Sequence, residues 1–224
     1  MNAAQQKNIS WLNVAMLFLL VMSGGGILFV FYSDVCLLLL SFMLAFAFIV
    51  NTPSLRISRV VYVFAVAIGL SALLMLNYVF APFGSDALIY LRYIVKINII
   101  AAFLLYYRES ESNFTGELML ALVVVMVHAL INFILGFFVW DLVTKITTDY
   151  YSVYTFLHVF FYQISEAKIF DISIGRNQGL FWEPGILQIY MNIAFYLASH
   201  VRPSRMIRLL AALVFCNPAV TFAH

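Results

Sequence analysis

Charged side chains are scarce in this sequence: 12 Lys and Arg and 10 Asp and Glu stand among 224 residues. Soluble domains carry roughly a quarter charged residues, so a water-soluble fold is excluded. The net charge of +2 is small and dispersed, with no basic stripe to track a phosphate backbone, which sets nucleic acid aside as a partner. Cysteine is nearly absent. Cys36 and Cys216 both lie in apolar stretches, where a thiol behaves as a small buried hydrophobe, so neither a disulfide framework nor a metal site is implied. The chain also lacks the HExxH, G-x-S-x-G, P-loop and GxGxxG patterns. Hydrolytic and nucleotide-driven chemistry therefore have no positive sign. No internal repeat, low-complexity segment or separate soluble domain is visible, and residues 1–224 read as one transmembrane domain.

What abounds is apolar surface, with 65% hydrophobic residues and a mean hydropathy of +1.01. Stretches near the roughly 20-residue length that carries a helix through a hydrocarbon core recur along the whole chain. The pattern predicts an all-α, polytopic transmembrane helix bundle with about six complete spans and a seventh partial one. Spans are expected at residues 11–31, 35–50, 60–80, 88–107, 118–140 and 184–199, with the partial run starting at Leu209. Lys7 before the apolar run 12–22 resembles a signal peptide, but hydrophobicity continues past Gly26 to Tyr32, which favours a first spanning helix. Within that span Ser23-Gly24-Gly25-Gly26 would let another backbone approach closely, at a cost in helix stiffness. Asn51-Thr52-Pro53 ends the second span, because proline lacks an N–H and drives its predecessor out of the helical region. Between the fifth and sixth spans, residues 141–183 hold scattered charges, a first half dense in aromatics, and no run long enough to cross. They read as one large loop whose aromatic middle, residues 150–164, could lie in the membrane interface as an amphipathic segment.

Orientation follows from Lys and Arg in short loops, which are retained on the cytoplasmic side. With the N-terminus inside, the inner segments hold Lys7, Arg56, Arg59, Arg108, Arg202, Arg205 and Arg208, and the outer turns hold Asp34 and Asp86. Arg92 and Lys96 are exceptions, as are Lys145, Lys168 and Arg176 in the long loop, where the rule is weak. The loop 141–183 is thereby placed on the outer face.

The most informative run is Gly175-Arg176-Asn177-Gln178-Gly179-Leu180-Phe181-Trp182-Glu183-Pro184-Gly185. It reads as a loop entering a helix, since proline at the first helical position has a pre-set angle and no donor to waste. Glu183 then sits at the cap, where a carboxylate meets the positive end of the helix dipole. A plain charged cap explains it; so does a site, given that the planar fork of Arg176 suits phosphate oxygens. Gln188 and Asn192 lie one turn apart on the next helix, as do His128 and Asn132 on the fifth span. Interhelical hydrogen bonding accounts for such pairs, and a wet cavity is the functional alternative. Arg92 and Lys96 share a helix face near the outer boundary, where long side chains snorkel to headgroups, yet two cations there could also hold a diphosphate. His158 is a further candidate base, in competition with Glu166 and Asp171.

The segment Arg176-Asn177-Gln178-Gly179-Leu180-Phe181-Trp182-Glu183-Pro184-Gly185, followed by Ile186-Leu187-Gln188-Ile189-Tyr190-Met191-Asn192-Ile193-Ala194, resembles the signature of bacterial O-antigen polymerases, the Wzy-type enzymes of surface polysaccharides. Five spans followed by a large outer loop and the motif helix are similar to the front half of that family. The resemblance implies a multi-pass glycosyltransferase of the bacterial inner membrane, N-terminus cytoplasmic, acting in lipopolysaccharide biosynthesis. It would join oligosaccharide units carried on undecaprenyl diphosphate at the outer face, with a chain-length regulator as a further partner. Such a donor brings its own leaving group, so neither cofactor nor metal is required. By the same resemblance Arg176 would steady the departing diphosphate with help from Arg92 and Lys96, Glu183 or His158 would act as base, and Gln188 and Asn192 would line the substrate site. Glu183 could instead orient Arg176 by pairing with it. Family members carry further spans and outer loops after the motif helix, so the chain is expected to be the front part of a longer polymerase, lacking part of the substrate cavity. An O-antigen ligase, a flippase for lipid-linked sugars and a non-catalytic membrane subunit are the competing readings.

Overall fold

A computed structural model describes residues 9–51, 55–80, 86–110, 112–147, 152–169, 172–181 and 183–200. The expected partial run from Leu209, the basic segment with Arg202, Arg205 and Arg208, and Cys216 lie outside the described residues, as do Lys7 and Asp171. Six α-helices are described: α1 (Trp11–Ser23), α2 (Ile27–Asn51), α3 (Ile57–Phe80), α4 (Ala87–Glu109), α5 (Phe114–Leu135) and α6 (Pro184–His200). A short 3-10 turn (Trp140–Leu142) and four strands separate the last two: β1 (Thr144–Thr147), β2 (Ser152–Phe156), β3 (Phe160–Ile169) and β4 (Ile172–Gly179).

The chain is mostly helical, and α2, α3, α4 and α5 are each long and apolar enough to cross a bilayer. Their surfaces fit that solvent. On α3 Ala67 is the one fully buried side chain, while Val61, Ile68, Leu73, Val79 and Phe80 stand exposed. An apolar face of that extent is untenable in water and ordinary against acyl chains, which marks a membrane protein.

Two expectations are corrected. The run 11–31 is not one helix: α1 stops at Ser23, and α2 begins at Ile27 and carries on through a kink at Tyr32 (φ −130°, ψ 39°). Gly25 takes φ 127°, a conformation open to glycine, and the freed amides of Gly24 and Gly26 turn back to the carbonyls of Val21 and Met22. At 13 residues α1 is about 20 Å long, short of the roughly 30 Å of a hydrocarbon core. The second correction concerns residues 141–183. In place of an irregular loop in an all-α chain, they hold a four-stranded antiparallel sheet in the order β1-β2-β3-β4. Ser152-Val153-Tyr154-Thr155-Phe156 alternates β-branched and aromatic residues, which fit a pleated, half-buried surface.

The described chain falls into two compact units, Met1–Leu19 with Tyr32–Phe114, and Leu20–Phe31 with Thr115–His224. In the first, α3 packs on α4, and the buried Tyr106 phenol ties α4 to two other helices by donating to Asn13 Oδ1 (2.9 Å) and accepting from Asn51 Nδ2. Arg59 pairs with Glu109 at one end of α4, and Asp34 pairs with Arg92 near the other. In the second, Leu122, Val125, Met126 and Ala129 form a fully buried stripe on α5, spaced as one helix face requires. Leu187, Met191, Ala194 and Ala198 do the same on α6, which packs on β4.

Candidate functional site

The Arg176-to-Gly185 run leaves the sheet and starts a helix. Arg176 lies in β4, opposite Gln163 of β3, and Gly179 closes the strand opposite Phe161. Gly179 has φ +57°, and a Cβ there would meet Leu187 and Ala129, so glycine suits both the backbone angle and the close packing. After it, Leu180 accepts from the amide of Ile27 (2.8 Å) and Phe181 forms an antiparallel bridge to Gly26. The glycine run expected to admit a second backbone thus receives the motif itself. Tyr190 of α6 completes the contact: its ring stacks on buried Phe181 with centroids 5.0 Å apart, and its hydroxyl sits where a Cβ on Gly24 would have to go.

Glu183 is exposed at the mouth of α6, and its carbonyl receives the amides of Ile186 (3.2 Å) and Leu187 (3.5 Å). It is the residue at which the helix begins, as its place before Pro184 predicts. Gln188 is half-buried and Asn192 exposed, each one position past the buried stripe.

His158 lies at the turn between β2 and β3, exposed, with φ 55° there and at Leu157. Both are unusual for side-chain-bearing residues. The turn rests on α5. His128 Nε2 donates to Val159 O (3.1 Å), since a carbonyl can only accept, and its ring stacks on Phe160. Asn132 Nδ2 donates to Phe161 O (3.0 Å), and the Tyr162 hydroxyl donates to Asn132 O (3.0 Å). Burial pushes the Tyr162 phenol up to about 12. Among the described residues, no side-chain hydrogen bond or ion pair joins His158, Glu183, Gln188 and Asn192 to one another.

Arg92 and Lys96 belong to the first unit. The Arg92 fork grips Asp34 with both carboxylate oxygens, at 2.7 and 2.8 Å. Lys96 sits 5.8 Å over the ring of Tyr93. A groove of about 240 Å³ beside the ion pair is lined by Leu37, Leu38, Leu88, Leu91 and Val95. The Asp34 partner and the role of Tyr190 were not read from the sequence. In the sequence Asp34 reads as an outer-turn charge, and an aromatic on an apolar helix carries no distinguishing signal.

No known protein family, curated protein or solved structure matches the chain.

Proposed function

We propose that the chain is a membrane glycosyltransferase of the O-antigen polymerase type, joining oligosaccharide units carried on undecaprenyl diphosphate at the outer face of the bacterial cytoplasmic membrane. The observation that carries this reading is the Arg176-to-Gly185 run, held by Gly179, Leu180 and Phe181 on the glycine break of the first helices and delivered to the start of α6. A polar, cationic strand entering a membrane helix is where a lipid-borne diphosphate would be met. In this reading the helices and the C-terminal run make up about six spans and a seventh partial one, the N-terminus is cytoplasmic, and the sheet 144–179 is external.

The division of labour follows from the chemistry. Transfer of the growing chain breaks its bond to the carrier diphosphate and forms a glycosidic bond to a hydroxyl of the next unit. Arg176 would offset the charge gathering on the departing diphosphate, since a guanidinium stays protonated and bonds two phosphate oxygens at once. Glu183 or His158 would take the hydroxyl proton. Gln188 and Asn192 would contact sugar. Arg92, engaged by Asp34, would bind a phosphate only through its remaining N–H donors.

The test is expression of the chain in cells that make the lipid-linked units but lack their own polymerase. A ladder of chain lengths is expected, lost with Arg176→Ala while the protein stays in the membrane. A ladder that persists in that variant removes Arg176 from the site. Transfer of single units to lipid A core without any ladder replaces the polymerase reading with the ligase.

A further inference from the structure

We propose that the turn between β2 and β3 is a re-entrant wedge, dipping into one leaflet beside α5 so that Leu157 and Val159 meet lipid acyl chains. The inference rests on α5 crossing the bilayer, and not on which face carries the sheet; it sets His158 below the headgroups and so favours Glu183 over His158 as the base of the proposed transfer.

Depth is read from hydrogen bonds. At 22 residues α5 extends about 33 Å, close to the roughly 30 Å of a hydrocarbon core, which places Leu135 at one boundary. His128 stands seven residues before Leu135, about 10 Å inside that boundary at 1.5 Å per residue. Its imidazole holds Val159 O and stacks on Phe160. From there the strand climbs beside the helix: Phe161 and Tyr162 bond Asn132, and the Tyr162 ring lies against Gly136. The turn is therefore the deepest part of the sheet.

Three further observations agree with that depth. Leu157 is 70% exposed and Val159 47%, two apolar side chains flanking the exposed His158 that the described residues leave largely uncovered. Charge is partitioned along the strands: residues 152–162 contain no Asp, Glu, Lys or Arg, whereas Glu166, Lys168 and Arg176 lie farther from the turn on β3 and β4. Lys145, on the neighbouring strand, is paired with Tyr154 above the tip, where a long side chain reaches headgroups. Lastly, backbone groups at membrane depth need partners within the protein. The Val159 amide bonds Phe156 O, and the Val159 and Phe161 carbonyls are taken by His128 and Asn132. The register shift between Phe161 and Tyr162 falls where Asn132 reaches in. His128 and Asn132, the two polar residues in the C-terminal half of α5, thereby acquire a purpose.

The experiment uses the full chain, with Cys36 and Cys216 replaced by serine, in nanodiscs of phosphatidylethanolamine and phosphatidylglycerol. Nitroxides are placed by Leu157→Cys and Val159→Cys, and by Thr147→Cys at the far end of β1. The ratio of relaxation by oxygen to relaxation by a water-soluble nickel chelate is expected to be several-fold higher at 157 and 159 than at 147. Equal nickel access at all three positions overturns the wedge. Hydrogen exchange of the unsubstituted chain in the same nanodiscs decides the matter without a label. Slow exchange at the amides of Leu157 and His158 supports lipid cover, and exchange as fast as in an open turn refutes it.

Discussion

Gly26 and Gly69 show how differently two glycines are constrained in one chain. A Cβ on Gly26 would lie 2.6 Å from Met22 O and 2.9 Å from Met22 Cα, backbone atoms that cannot turn aside. Gly26→Ala is therefore expected to cost about 1–3 kcal/mol, the range of overpacking, or more if the bridge to Phe181 is lost. At Gly69, within α3, a Cβ meets nothing within 4 Å. Alanine there removes backbone freedom from the unfolded chain and is expected to stabilise by up to about 1 kcal/mol. Thermal unfolding in detergent, followed by tryptophan fluorescence, reads both; a Gly26→Ala protein as stable as Gly69→Ala would discard the close approach. Tyr162 supplies a pH dependence. Burial raises its phenol to about 12, whereas an unfolded tyrosine ionises near 10. Between those values the unfolded chain holds fewer protons than the folded one, so stability from this group is complete below about pH 10 and disappears as pH rises through about 12. Absorbance titration of tyrosinate should show a late-ionising component that shrinks in Tyr162→Phe.

The β2–β3 hairpin separates strain from chemistry at the level of an element. Leu157 and His158 both have φ 55°, which costs roughly 1–3 kcal/mol each for residues other than glycine. Asparagine accepts that conformation more readily, so His158→Asn should keep or raise the unfolding temperature. If that stable variant makes no polymer, the imidazole acts in the reaction. If the ladder is intact, the base role falls to Glu183. The same hairpin shows where sequence reading stops. The spans expected at 60–80 and 88–107 match α3 and α4 because long apolar runs bounded by charges and proline leave one reading, whereas the run 184–199 forms a helix, α6, of 17 residues that is short for a span. Strands of four to ten residues fall below the length that marks a span, so a filter tuned to the bilayer passes over the sheet. The break at Gly24-Gly25-Gly26 was legible as a close approach but not as a helix end, because hydropathy continues through it and the partner, Leu180, is far away in sequence. For the site, the passage into a helix at Pro184 was legible. The grip of Asp34 on Arg92 joins residues on different helices, which no local pattern announces.

At the scale of the whole molecule the question is which face of the membrane the sheet occupies. In the first unit Arg59 pairs with Glu109, so the start of α3 and the end of α4 share a side, and Arg56 and Arg108 stand beside them. If short-loop cations are retained inside, that side is expected to be the cytoplasmic one. Residue 114 follows shortly after Glu109, so the proposed reading, in which α5 makes one crossing, expects Leu135 and the strands after it outside. Two cysteines test this in intact cells: Thr147→Cys, exposed at the end of β1, and Arg56→Cys, exposed before α3. Buried Cys36 stays in the background only if it proves unreactive, and is otherwise replaced along with Cys216. An impermeant maleimide is expected to label Thr147→Cys directly and Arg56→Cys only after permeabilisation. The reverse pattern would put Arg176 and Glu183 in the cytoplasm. Transfer between lipid-linked units at the outer face would then be impossible for this chain, whatever its motif resembles, because a diphosphate headgroup does not cross a hydrocarbon core unaided.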